Sequence, residues 1–210
     1  MTGHTKDCEE AELKRFMHEK HQELKQLSVW PTFTEQYPIK TRSLDHSGAA
    51  DILNHMLEND IRNSGQGVLS VAKCYRTHWK MHEQYDSFEW LNRAILEFAK
   101  KFPLASRTDE KGNPEDIPMK VLESWGLIYN KGDSTDEHTH WPALWSYCYG
   151  VKSCKDCAPL IFPTLNKNGA ILNHKNGQIV LWPAWLRHSV GEHKCDHERI
   201  VIAGNIYTDF

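Results

Sequence analysis

No apolar run in this 210-residue chain approaches the roughly 18 positions that a membrane-spanning helix requires. With a mean hydropathy of −0.63, the chain is expected to be soluble. The opening stretch, MTGHTKDCEEAELKRF, lacks the apolar centre of a secretory leader, so the expected compartment is the cytoplasm. Positive charge is not in excess either. The 25 Lys+Arg are set against 28 Asp+Glu, a formal net charge of −3, which disfavours nucleic acid as the partner. The signatures of a Walker A loop, a dinucleotide-binding turn and a nucleophile elbow are missing, as are internal repeats and low-complexity tracts. A disulfide framework is not expected: without a leader, the six cysteines, Cys8, Cys74, Cys148, Cys154, Cys157 and Cys195, read as reduced thiols. A lone Cys154-Lys-Asp-Cys157 is a weak zinc signal, because a structural site needs four ligands. A second half-site is available in His193-Lys-Cys195-Asp-His197, but two polar hairpin turns that happen to carry Cys and His are the preferred reading.

Two residue types are present in excess: 13 His and 8 Trp. Their placement depends on the order of elements. Residues 8–27 read as a polar helix with Leu13, Phe16, Met17 and Leu24 on one stripe. Residues 49–63 and 86–102 read as stronger amphipathic helices, the second with Phe88, Leu91, Ile95 and Phe98 on one face and Asp86 or Ser87 as N-cap. The charged stretch 105–118 reads as a loop. From residue 119 the texture changes to short β-branched and aromatic runs at 119–130, 144–151, 158–165, 169–173, 178–182 and 198–207. Turn signals separate them, including Lys131-Gly132-Asp133, Asn168-Gly169 and Asn176-Gly177. The expected fold is α+β and mainly β: an antiparallel sandwich or barrel whose outer face carries the helices. The expected organisation is one domain over 1–210, with a mainly helical part at 1–118 and a β core at 119–210.

The β half holds Asp136-Glu-His138-Thr-His140 and, much later, His188. Side chains at i and i+2 of an extended segment share a face, so His138 and His140 can chelate one ion from a single strand end. A distant His188 brought alongside would complete a facial triad that leaves open positions for substrate and oxygen. The usual triad contains a carboxylate and selects non-haem Fe(II); an all-imidazole set also suits Zn and Cu. Eleven residues on, Arg199 opens the run Arg-Ile-Val-Ile-Ala-Gly-Asn. Alternation puts Arg199, Val201, Ala203 and Asn205 on one face and Ile200, Ile202 and Gly204 on the other. An arginine facing the inside of a barrel is costly unless it meets an anion, for which a bidentate carboxylate is the natural partner. The competing readings are a chance His pair in a His-rich chain and an Arg that snorkels to solvent.

The order and spacing of several residues resemble a known family. The series is Trp125, Tyr129-Asn130-Lys-Gly132, His138-x-His140-x-Pro142, Trp145-Ser146-x-x-Tyr149, Phe162, Gly177, Leu181-Trp182-Pro183-x-Trp185-Leu186-x-His188-x-Val190, Arg199-Ile200 and Asn205. It is similar to the 2-oxoglutarate/Fe(II)-dependent oxygenases, in the prolyl-hydroxylase-like branch found in bacteria and marine phages. The resemblance covers residues 119–207, with a weaker similarity at Thr77-His-Trp79-Lys-Met-His82 and the helix after it. It implies a double-stranded β-helix, a cupin-like jelly-roll with iron at one mouth, preceded and flanked by the N-terminal helices. It implies iron ligands His138 and His188, with His140 where most of the superfamily has Asp; Asp136 stands as the alternative carboxylate ligand. It implies that Arg199 binds the distal carboxylate of 2-oxoglutarate, helped by Tyr129, Asn130, Tyr147 or Asn205. An aromatic wall of Trp141, Trp145, Trp182 and Trp185 would line the substrate side.

The implied activity is hydroxylation of an unactivated C–H, using O2 and releasing succinate and CO2. The implied substrate is a small molecule or a peptidyl side chain, with proline suggested by family analogy alone. The alternatives are a zinc hydrolase, a three-histidine dioxygenase that needs no 2-oxoglutarate, and a non-catalytic cupin-like binding module. Trp141-Pro142, where a hydrolase plan usually has a further His/Asp pair, tells against the first, Arg199 against the second, and the complete triad with Arg199 against the third.

Overall fold

The computed structural model describes residues 39–44, 49–67, 70–102, 104, 107–115, 117–165 and 169–209. The helix expected at 8–27 lies outside the described residues. In chain order the elements are β1 (Lys40–Ser43), α1 (Ala49–Asn63), β2 (Ala72–Lys73), β3 (Tyr75–Arg76), a 3-10 turn (Met81–Glu83), α2 (Asp86–Ala99), β4 (Arg107–Thr108) and β5 (Pro114–Glu115). There follow β6 (Met119–Tyr129), β7 (Ser134–His138), β8 (Trp145–Lys152), β9 (Leu160–Phe162), β10 (Ala170–Leu172), β11 (Gln178–Pro183), β12 (His188–Val190) and β13 (Arg199–Thr208).

The strands form two facing antiparallel sheets. The larger runs β1-β11-β8-β13-β6-β3 and the smaller runs β10-β9-β12-β7-β2. The apolar residues between them include Leu127, Leu160, Phe162, Val180, Trp182 and Val201. A second core lies on the outer face of the larger sheet, where Leu57 and Ile61 of α1 and Phe88, Leu91 and Ile95 of α2 meet Val121, Ile128, Ile200, Ile202 and Ile206. The alternation in β13 is therefore realised as expected: Val201 faces the inter-sheet core, while Ile200 and Ile202 face the helices. Among the described residues, no helix is long and apolar enough to cross a membrane.

Two local expectations are corrected. Neither Asp86 nor Ser87 caps α2: Tyr85 holds the N-cap position without a side-chain hydrogen bond, and Ser87 is buried, donating its hydroxyl to the Asp60 carboxylate of α1. The stretch 105–118 is not wholly loop, because β4 and β5 form a small hairpin. Its turn is organised by Asp109, whose Oδ1 accepts the amides of Lys111 (2.9 Å) and Asn113 (2.8 Å), with Gly112 at φ 82°.

Gly204 marks the tightest approach in β13. A Cβ there would stand 2.3 Å from the Tyr147 hydroxyl oxygen and 2.5 Å from the Glu123 carbonyl oxygen. The carbonyl belongs to the paired strand and cannot retreat as a side chain would. Gly204→Ala is therefore expected to destabilise the fold by about 2 kcal/mol or more, read as a lower urea midpoint at unchanged m-value.

Candidate active site

The cross-strand register positions the histidines. His188 of β12 pairs directly with His138 of β7, and the two ring centroids are 4.3 Å apart. His140 lies two residues beyond His138, just past the end of β7, where its amide donates to the Ala184 carbonyl at 2.8 Å. Its ring sits 4.7 Å from that of His138 and 5.0 Å from that of His188. One ligand nitrogen from each of the three falls within 4.8 Å of the others.

Backbone carbonyls fix the tautomers of two rings. The Nδ1–H of His138 donates to the Asp136 carbonyl (2.7 Å) and that of His188 to the Leu186 carbonyl (3.0 Å), because a carbonyl can only accept. Each ring is left with its Nε2 lone pair for the cavity. The Nε2 atoms of His138 and His140 are only 3.2 Å apart. Burial holds all three in the neutral form: the pKa of His188 is pushed down to about 3, that of His140 falls well below the ordinary value, and that of His138 is lowered. Neutral imidazoles with converging lone pairs can hold a divalent metal. The Asp136 carboxylate turns away to the Lys73 ammonium at 2.8 Å and takes no part in the cluster.

Across the same cavity stands Arg199, fully buried, opposite Tyr129 in the β13–β6 register. Its guanidinium carbon lies 4.9 Å from the Tyr129 ring centroid, and the Cys148 thiol beside it is at best a weak acceptor. Among the described residues, none of its three side-chain nitrogens has a hydrogen-bond partner. A buried cation with five unpaired N–H groups is costly unless an anion is meant to meet it. The cavity between Arg199 and the histidines measures about 370 Å³, within the roughly 300–1,000 Å³ of small-ligand sites.

The other residues singled out in the sequence divide. Tyr129 and Trp182 line the cavity, Tyr129 placing its hydroxyl 2.7 Å from Thr135 Oγ1 and Trp182 packing edge-on against His188 at 4.8 Å. Asn205 lies behind His140 rather than toward Arg199. Its Nδ2 is 2.5 Å from Glu123 Oε2 and 3.4 Å from His140 Nδ1, and its Oδ1 accepts from Ser146. Asn130 is exposed and only closes the β6–β7 turn, its amide donating to Asp133 Oδ2. Tyr147 borders the cavity, but its hydroxyl points to the helix layer, 2.7 Å from Asn92 Oδ1 and 2.8 Å from Ser124 Oγ. Trp145 is buried in that outer core, and Trp141 and Trp185 do not line the cavity. The aromatic wall is instead Trp79, Trp125 and Trp182. Trp79 stands edge-on to Trp125 at 4.5 Å, and the Arg76 guanidinium lies over the Trp79 ring at 3.9 Å.

Comparisons with known proteins follow the same lines. Residues 162–205 match the sequence profile of a family described as "Putative 2OG-Fe(II) oxygenase". A viral collagen prolyl hydroxylase from Paramecium bursaria Chlorella virus-1, solved as a 2-oxoglutarate complex, superposes with TM-score 0.60 at 14% identity, covering 82% of this chain and 96% of that one. The fold is that of the 2-oxoglutarate/Fe(II) oxygenases. A prolyl-4-hydroxylase from Pseudomonas putida gives TM-score 0.61 at 12% identity over 83% of this chain and 94% of its own. HygX from Streptomyces hygroscopicus, solved with nickel, 2-oxoglutarate and hygromycin B, gives 0.59 at 11% over 84% and 85%. No curated protein matches in sequence. The oxygenase resemblance and the double-stranded β-helix expected from the sequence are thus borne out.

Burial of one histidine beside the inter-sheet core has a consequence for stability against pH. His174 donates its Nε2–H to the Cys148 carbonyl at 3.2 Å, and burial, followed by the nearby Arg199 charge, pushes its pKa down to about 3. The unfolded chain takes up this proton near pH 6.5, whereas the folded chain refuses it until about pH 3. Stability should therefore fall as pH drops below about 6.5, and His174 alone accounts for at most about 1.4 kcal/mol per pH unit. Urea midpoints from pH 7.5 to 5 should decline less steeply in His174→Gln than in the wild type; equal slopes would refute the assignment.

Proposed function

We propose that this chain is a non-haem Fe(II)- and 2-oxoglutarate-dependent dioxygenase in which His138, His140 and His188 hold the iron and Arg199 holds the distal carboxylate of 2-oxoglutarate. One observation carries the reading: three converging imidazole rings and a fully buried guanidinium, none of whose nitrogens has a partner among the described residues, share one cavity. A dicarboxylate that reaches the metal at one end and Arg199 at the other satisfies both. Bound there, the metal and 2-oxoglutarate supply the oxidising chemistry: O2 is consumed, succinate and CO2 are released, and a substrate C–H is hydroxylated.

The protein groups orient and seal. The Asp136 and Leu186 carbonyls hold two imidazoles as neutral ligands, while Asn205, gripped by Glu123 and Ser146, packs beside the third ring. Tyr129 floors the guanidinium, its hydroxyl committed to Thr135, so that Arg199 keeps its fork turned to the cavity. Trp79, Trp125 and Trp182 form walls that limit water and place the substrate carbon near the metal. The cavity also reaches Val71, which is 45% exposed and gives a small-molecule or peptidyl substrate an approach from solvent. The unpartnered guanidinium favours this reading over a zinc hydrolase, a 2-oxoglutarate-independent dioxygenase or a non-catalytic module, none of which requires a buried anion site.

The test is succinate formation from 2-oxoglutarate by the purified protein under air. Turnover should require Fe(II) and vanish in His138→Ala. Succinate formed equally by that variant, or never formed with any metal loading, would reject the assignment.

A further inference from the structure

The two turns that carry Cys154-Lys-Asp-Cys157 and His193-Lys-Cys195-Asp-His197 converge. The loop 153–159 after β8 and the loop 191–198 before β13 bring Cys154, Cys157, Cys195 and His197 together, with one ligand atom from each within 4.8 Å of the others. All three cysteines are free thiols. We propose that these four residues form a structural zinc site, separate from the histidine triad and independent of the function assigned to it.

The geometry carries the proposal. Zinc–sulfur bonds of about 2.3 Å and zinc–nitrogen bonds of about 2.0–2.1 Å in a tetrahedron imply edges of about 3.8 Å between sulfurs and about 3.5 Å between sulfur and nitrogen. Cys154 Sγ stands 3.6 Å from Cys157 Sγ and 3.9 Å from Cys195 Sγ, while Cys157 Sγ stands 3.5 Å from His197 Nε2. Backbone amides already serve two of the sulfurs, that of Cys154 donating to Cys157 Sγ (3.2 Å) and that of Asp156 to Cys154 Sγ (3.3 Å). Such amide donors favour the thiolate form that zinc binds.

A second, independent feature orients the set. His193 is fully buried and ties the two loops together without being a ligand itself. Its Nε2–H donates to the His197 carbonyl (2.7 Å), and its Nδ1 accepts the Ala158 amide (3.3 Å). The backbone of His193 also pairs with the β6–β7 turn, donating to the Asp133 carbonyl and accepting from the Gly132 amide, both at 2.8 Å. Three loops are thus gathered at one point, and a sulfur-rich mononuclear tetrahedron selects zinc among the common divalent ions. On binding, three thiols release three protons to solvent, leaving a site of net charge −1 beside a neutral imidazole.

The site has a structural consequence. His197 is two residues before Arg199, so zinc would clamp the start of β13 to the loop after β8. Hydrogen exchange in loops 153–159 and 191–198 should rise when a chelator strips the zinc, while β6 stays protected.

The deciding experiment is elemental analysis with zinc K-edge absorption on the intact wild-type protein, repeated on His138→Ala/His188→Ala. The expected result is one zinc per chain, surrounded by three sulfurs and one nitrogen and retained when the triad is removed. Zinc with only oxygen and nitrogen neighbours, zinc lost with the triad, iron in the sulfur site or no zinc at all would each overturn the proposal. Cys154→Ser should lose that zinc. If the variant does not fold, the absorption spectrum of the wild type still decides the matter, since it requires no substitution.

Discussion

Arg199→Met is expected to weaken 2-oxoglutarate binding by about 100-fold or more while leaving divalent-metal affinity within a few-fold of wild type. The loss follows from removing one partner of a desolvated, bidentate charge pair, which typically costs about 2–5 kcal/mol. The same substitution should raise the stability of the ligand-free protein by about 1–3 kcal/mol. It replaces a fully buried cation, none of whose nitrogens has a partner among the described residues, with an apolar side chain of similar length. This opposition of signs separates a binding residue from a structural one. A structural Arg199 would leave a less stable protein, with metal and cosubstrate affinity falling together. Titration of Co(II) and 2-oxoglutarate, with thermal melts of the unliganded forms, reads both signs. Arg199→Lys should recover only a small part of the affinity, because an ammonium cannot reproduce the two parallel N–H donors.

The second large effect is expected at His188. His188→Ala removes one of three converging lone pairs and should lower metal affinity by more than the roughly 100-fold that loss of an outer partner can cost. Wild-type melting temperature should climb with added Fe(II) or Co(II) as binding to the folded state shifts the equilibrium, and that climb should disappear in the variant. Because His188 is buried against Trp182 and Phe162, the alanine also leaves a cavity, so the metal-free variant should melt somewhat lower than wild type. The diagnostic is the vanished metal response, not the starting stability. A metal-induced shift of wild-type size would remove His188 from the set of ligands.

The parts of the site legible in the sequence are those that obey a short period. His138 and His140 share a face because strand side chains alternate, and Arg199 faces inward because Val201 and Ala203 do. The pairing of His188 with His138 could be read only through the family resemblance, since β12 is three residues long and has no pattern of its own. Tyr147 and Trp145 were misplaced for a physical reason: β8 is buried on both faces from Trp145 to Val151, so its hydrophobicity does not say which face meets the cavity. The parity is set by the pairing with β13, which contains a register shift between Ile200 and Val201. Trp79 was not placed in the wall because it belongs to no periodic segment; it is held at the cavity by its own pairing with β6, where its carbonyl accepts the Ser124 amide at 2.7 Å. The cysteines failed in the opposite way. Their spacing was visible, but the meeting of loops 153–159 and 191–198 is a consequence of the β9–β12 and β8–β13 neighbours rather than of either loop's sequence.

One dicarboxylate bridging the triad and Arg199 underlies the expectations for Arg199→Met and His188→Ala. Its most direct test is the visible charge-transfer band that forms when 2-oxoglutarate chelates Fe(II), recorded anaerobically for wild type, Arg199→Met and His188→Ala. The band is expected in wild type, saturating with 2-oxoglutarate; it should need far more 2-oxoglutarate in Arg199→Met and be lost in His188→Ala. The absence of a band in metal-loaded wild type, or a band unchanged in His188→Ala, would contradict the bridge.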